Sequence, residues 1–406
     1  MSDYQQDEGR FIGRQVRTIR ARRGISQQVL ADRVGVSRGA IAKYENGERP
    51  VDSRRTLHAL ATALRVDVGD LTGHDQDKLD PIAAAFQMAV PEVETLLWTH
   101  GNVTDTRAPV TLGELSILAE KAMSLIQDGD YAALAPMLAP MLTDSFRHIR
   151  DTDTEQAWDV HGLILFGLGA ALRNRGFHSL AWTAAQESER IALRTGTVTA
   201  TAAAAFRRGQ VMLRHPGALP AALEHVETTA EKVAPDVRTV GDVETLGMLW
   251  LQASLVKAAL GGDPEPYLAE AAEQASRLDQ VERGNSILRN TTFGPANVAL
   301  WRMSAAMERS EPGDVLALAP ELSPADLPSE GRRAQYFVEI GRAHAMQRNY
   351  REALYAILRA ETASPQYARG LTHVRELVGH MMRSARRDLT SGELGRLARR
   401  VGVVPA

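Results

Sequence analysis

Between Ser26 and Pro50 the chain reads SQQVLADRVGVSRGAIAKYENGERP, and no other stretch leaves so little choice of fold. Apolar residues recur at helical spacing in short segments, each ended by a tight breaker: Val29, Leu30 and Val34 before Gly35, then Ile41 and Tyr44 before Gly47. Ser26 and Ser37 stand where N-caps are wanted, because a hydroxyl there can accept from an orphan N–H of the first turn. Upstream, Phe11, Val16 and Ile19 lie on one helix ending near Gly24. Downstream, Pro50 ends the turn, and Asp52 and Ser53 offer caps to a helix carrying Leu57, Leu60, Ala61 and Leu64. The expected product is a compact bundle of four or five short helices, with Ala31 and Gly35 at a close approach and Val36 and Ile41 as core plugs.

Two helices joined by a turn of about four residues, the second starting at Ser37, make a helix-turn-helix whose second helix can lie in a DNA major groove. The segment resembles the DNA-binding domain of the XRE family, the Cro and phage-repressor type. Arg17, Arg20, Gly24, Ser26 and Gln27 at its start and Tyr44 to Pro50 at its close carry the likeness. It runs from about Phe11 to Leu71 and implies a lambda-repressor-like bundle over residues 1–73. The resemblance also implies roles. Gln27 would meet a phosphate or base at the groove edge, and Ser37, Arg38, Gly39 and Lys43 would occupy the groove-facing side of the recognition helix. Asn46 and Arg49 would hold phosphates, with Arg17 and Arg14 as further phosphate contacts. Arg38 suits bidentate readout of guanine O6 and N7, worth about 1–3 kcal/mol against a wrong base. Gly39 departs from the polar residue often found there, so one base position is read by shape, by methyl contact or not at all.

The charge distribution agrees with that placement. The formal net charge of −3 sums two unlike parts: residues 1–73 carry 13 basic and 9 acidic residues, net +4, with all 13 basic residues and only 4 acidic ones between Arg10 and Arg65, whereas residues 74–406 carry 34 basic and 41 acidic, net −7. A basic head on a mildly acidic body points to nucleic acid at one end only. Of the 47 basic residues 42 are Arg, the codon bias of a GC-rich bacterial genome, which bears on origin rather than function. Cysteine is absent, which removes disulfide frameworks, Cys-ligated zinc and thiol nucleophiles together. The polar start MSDYQQDEGR has no signal-peptide pattern. The longest apolar run, Gly162 to Leu172, is about half of the roughly 20 residues a membrane span needs, so a cytoplasmic protein without membrane contact is expected.

Thr72 to Pro81, TGHDQDKLDP, reads as a polar linker, assigned to residues 74–81, and residues 82–406 as one all-helical body. Within the body, Ala171 to Ile191 and Ala345 to Ala363 share an outline: an Ala-rich helix, a short basic turn ending in Gly-Phe or Asn-Tyr, and a second amphipathic helix. Leu213 to Val233 and Leu260 to Leu278 repeat it less closely. The pattern resembles tetratricopeptide-like repeats stacked into an α-superhelix with a concave groove; irregular spacing leaves an irregular helical bundle as the other reading. The expected fold class is therefore all-α, a helix-turn-helix bundle followed by helical hairpins.

A single head covers only a few base pairs, so a homodimer on a double-stranded DNA operator is expected, with the body dimerising. XRE-type heads on tetratricopeptide-like bodies resemble bacterial regulators that sense a signalling peptide or small molecule. Asn290, Asn297 and Arg302 are the effector candidates, since Asn side chains facing a groove can hold a peptide backbone. The alternative is an interaction protein whose body docks a protein partner while the head localises it on DNA. No G-x-S-x-G, G-x-x-x-x-G-K or H-E-x-x-H motif occurs, so no enzyme, metal or cofactor is expected.

Overall fold

A computed structural model of the chain describes residues 12–403 apart from 52, 67, 73–80, 214, 216, 290 and 386–391. The expectations placed on Phe11, Asp52 and Asn290, and on all of the linker except Pro81, lie outside the described residues.

The head is built as the spacing predicts, from α1 (Ile12–Arg22), α2 (Gln27–Val34), α3 (Arg38–Glu45), α4 (Arg54–Leu64) and α5 (Val68–Thr72). Local chemistry sets the boundaries. Ser26, Ser37 and Ser53 each cap the helix that follows, accepting from the N–H of Val29, Ala40 and Thr56. Gly35 ends α2 at φ 75°, a left-handed conformation that a side chain would strain, and its N–H returns to Ala31 O at 2.9 Å. Val16, Leu30, Ala31, Ile41, Leu60 and Leu64 are fully buried and form the head's own core.

The body is helical throughout, with no strand among the described residues. It runs α6 (Pro81–Trp98), α7 (Leu112–Asp128), α8 (Tyr131–Thr152), α9 (Glu155–Asn174), α10 (His178–Thr195), α11 (Val198–Met212), α12 (Leu219–Val233), α13 (Val240–Ala259) and α14 (Glu265–Ser276). It continues with α15 (Pro295–Glu308), α16 (Pro312–Leu318), α17 (Glu330–Met346), α18 (Tyr350–Ala363), α19 (Pro365–Gly370), α20 (Thr372–Ser384) and α21 (Glu393–Arg400). Sequential helices pack on each other, α9 on α10, α13 on α14 and α17 on α18, because their connections are short enough to make neighbours antiparallel. The two closest repeats fall on such hairpins, turning at Arg175-Gly176-Phe177 and at Gln347-Arg348-Asn349.

The body's buried apolar residues fall into two clusters that share α15, which gives Val298 and Trp301 to the first and Leu300 and Met303 to the second. Helix α13 is enclosed by α11, α12, α14 and α15 and buries every residue but Val240 and Lys257. Such enclosure demands small residues at the tightest crossing: a Cβ on Gly247 would stand 2.0 Å from the Phe293 ring. Among the described residues no helix is long and apolar enough to cross a membrane.

The head also touches the body. The Ile12 N–H donates to Glu376 Oε1 on α20 at 2.7 Å, and His380 Nδ1 lies 3.3 Å from Gly47 O.

Candidate nucleic-acid interface

The turn Gly35-Val36-Ser37 sets α3 across α2, with Ile41, Tyr44 and Glu45 facing inward. What remains outside is the N-terminal turn of α3 and one further turn. Ser37, Arg38, Gly39, Lys43 and Asn46 are all exposed, so five of the sequence candidates gather on one exposed element and its caps. The side chains of Arg38 and Lys43 make no hydrogen bond or ion pair among the described residues. Two cations left without carboxylates on a helix whose other face is packed are what phosphate and base-edge contact requires. A Cβ on Gly39 would meet nothing nearer than Ser37 Oγ at 3.9 Å, so the fold itself does not ask for glycine there.

Ser37 has a second duty: its Oγ accepts from Ala40 N at 3.2 Å as the cap of α3. Asn46 ends the helix, its N–H bonding Ala42 O at 3.0 Å. Arg49 places its guanidinium 5.4 Å from the Tyr44 ring centroid, a stacking that holds the charge near the end of α3. Arg17 is exposed on α1, and Arg14 is half-buried on the same helix.

Gln27 is tied into the head. Its Nε2 donates to Glu45 Oε2 at 2.9 Å, so the amide nitrogen is engaged within the head. Glu45 is the hub that sequence reasoning missed. Only 2% exposed, it also accepts from Arg20 Nε at 2.5 Å and Nη2 at 2.9 Å, while Arg20 Nη1 reaches Ile25 O at 2.7 Å. The hydrogen bond to Glu45 raises the Arg20 pKa, with burial opposing it. The pair ties α1 to α3 and thereby fixes the angle at which α3 is presented. The available signal was an acidic residue on the inward face of a basic helix, opposite an arginine of the preceding motif.

Of the effector candidates, Asn297 and Arg302 fall among the described residues, and each has a partner within the body. Asn297 is 1% exposed, its Nδ2 meeting Met248 Sδ at 3.6 Å. Arg302 pairs with Glu265 at 2.5 Å.

Residues 12–74 match a family model described as a helix-turn-helix domain, which begins at α1 and reaches just past α5. No curated protein and no solved structure matches the chain. The chain thus opens with a helix-turn-helix DNA-binding domain and continues as an all-helical body.

Proposed function

We propose that the chain is a sequence-specific transcriptional regulator of the XRE type. Its head reads a double-stranded operator with α3 in the major groove, and its body, of tetratricopeptide-like character, holds two copies together and senses a peptide or small-molecule effector. The observation that carries this reading is the Ser37-capped, exposed start of α3, where Arg38 and Lys43 stand without internal partners. Dimerisation follows from reach: one recognition helix spans too few base pairs for useful specificity, and two copies would read half-sites about one helical turn apart.

The test begins with an operator selected by the full chain from a random duplex pool. Arg38→Ala then loses about 1–3 kcal/mol of discrimination at one base position per half-site, while weaker, salt-sensitive binding persists. Retention of full selectivity by that variant overturns the groove assignment.

Ser37 separates folding from binding. Ser37→Asp keeps a side-chain acceptor for Ala40 N–H, so the head's melting temperature is expected to hold, but its charge faces DNA phosphates and operator affinity falls. Ser37→Ala has the reverse emphasis: the lost cap costs about 1 kcal/mol of stability and DNA affinity changes less. Circular dichroism melts and gel-shift titrations on the two variants check both halves.

A further inference from the structure

Between head and body lies a cavity of about 340 Å³, within the range of small-molecule sites. The head supplies one wall through Ile12, Val51, Leu57 and Val68, none of which carries charge. The charge comes from the body. Among the described lining residues six are Arg and two are Glu, with no Lys or Asp, an excess of four positive charges. Neither carboxylate is free: Glu339 accepts from Arg342 Nη1 at 2.6 Å and from Ser304 Oγ at 2.9 Å, and Glu308 is also engaged within the fold.

Arg207 is the decisive residue. It is 3% exposed and lies with its guanidinium carbon 4.2 Å from the Phe166 ring centroid and 5.8 Å from that of Phe206. Among the described residues its side chain makes no hydrogen bond and no ion pair, and its Nε is buried without an acceptor. Burial, followed by the nearby Arg173, pulls its pKa well below the usual arginine value. Arg332, which lines the same cavity from α17, is also lowered by burial, and its Nη1 donates only to the neutral Gln335 at 2.8 Å. A buried guanidinium without a counter-charge costs the fold stability, and stacking on two rings offsets this only in part. A cavity that retains such groups is arranged for an anion brought from outside the fold.

We propose that this cavity binds a small organic polyanion, a molecule carrying phosphate or clustered carboxylate groups, held by Arg207 and Arg332 and closed over by the head. The inference rests on the effector reading above for its consequence at DNA, but not for binding itself. A ligand seated there touches α1 and α4 of the head as well as the body, so its free energy of binding depends on how the head is docked.

The experiment uses the full chain and four probes at matched ionic strength: inorganic pyrophosphate, ADP, citrate and uncharged glucose. The expected result is a saturable rise in melting temperature with at least one polyanion and none with glucose. Pyrophosphate and ADP against citrate then separate phosphate from carboxylate chemistry. Arg207→Gln should weaken binding by at least about tenfold while raising the melting temperature of the unliganded protein, because an unpaired charge has been removed. A merely structural arginine would lower it. Arg332→Gln gives an independent loss of binding, and the shift must survive Arg38→Ala, which excludes binding at the DNA face. A flat response to all three polyanions, or an unchanged shift in both cavity variants, overturns the site. Binding that leaves operator affinity unchanged supports the anion site and overturns the effector reading.

Discussion

Arg20→Ala is expected to unfold the head and leave the body folded. The Arg20–Glu45 pair is bidentate, with side chains 15% and 1% exposed, and removing one partner of a buried pair typically costs about 3–5 kcal/mol because the other charge is left desolvated. For a head of five short helices that is most of the stability available. The composition provides a clean readout. All five tryptophans, Trp98, Trp158, Trp182, Trp250 and Trp301, belong to the body, and of these only Trp301 lines the cavity beside the head, so the tryptophan fluorescence melt is dominated by the body. In Arg20→Ala the fluorescence melt should stay near the parent's, while a low-temperature loss of helicity appears by circular dichroism and operator binding disappears. The double variant Arg20→Met with Glu45→Leu removes both charges and should recover most of the lost stability. Failure of the double variant to recover would mean that the pair acts through geometry that apolar packing cannot replace.

That pair marks where the sequence could and could not be read. Caps and breakers act within one turn, so Ser26, Gly35, Ser37 and Ser53 were legible as helix boundaries, and each boundary stands where local chemistry puts it. The exposed face of α3 was legible for the same reason, since Ile41 and Tyr44 declare the buried face and leave Arg38 and Lys43 outside. The partner of Gln27 was not: Glu45 lies 18 residues further on, and only the crossing of α2 and α3 brings them together. The cavity was less legible still. Its walls draw on residues from Ile12 to Arg375, and helical periodicity reports which side of a helix is apolar without saying which helices face each other. Asn297 is a case of the same limit. An amide read as groove-facing belongs to a helix packed into two cores, where it is buried beside Met248.

Phe86→Ala is expected to destabilise the body by about 3–5 kcal/mol, the usual cost of emptying a buried phenylalanine site. Phe86 is fully buried on α6 and meets two rings, Tyr131 edge-on at 5.9 Å between centroids and Phe177 at 6.2 Å. Those contacts matter beyond their area. Tyr131 opens α8, and Phe177 closes the turn between α9 and α10, so one side chain on α6 fastens the first helix of the body to two later connections. Tyr131 in turn takes a hydrogen bond from Asn174 at 2.9 Å and lies under the Arg175 guanidinium at 5.5 Å, and all three line the cavity. The cavity left by truncation therefore opens next to the arginine-lined site, which cannot collapse without drawing charge into apolar surroundings. Phe86→Leu, which keeps most of the volume, should cost under about 1.5 kcal/mol if its ring partners adjust. Urea titrations followed by tryptophan fluorescence measure both variants. Because Phe86 touches no residue of the head's core, the intrinsic DNA affinity of Phe86→Ala should match the parent's at temperatures where the body remains folded. If affinity falls instead, the body's packing reaches α3 through the docked head, and the two modules are one folding unit.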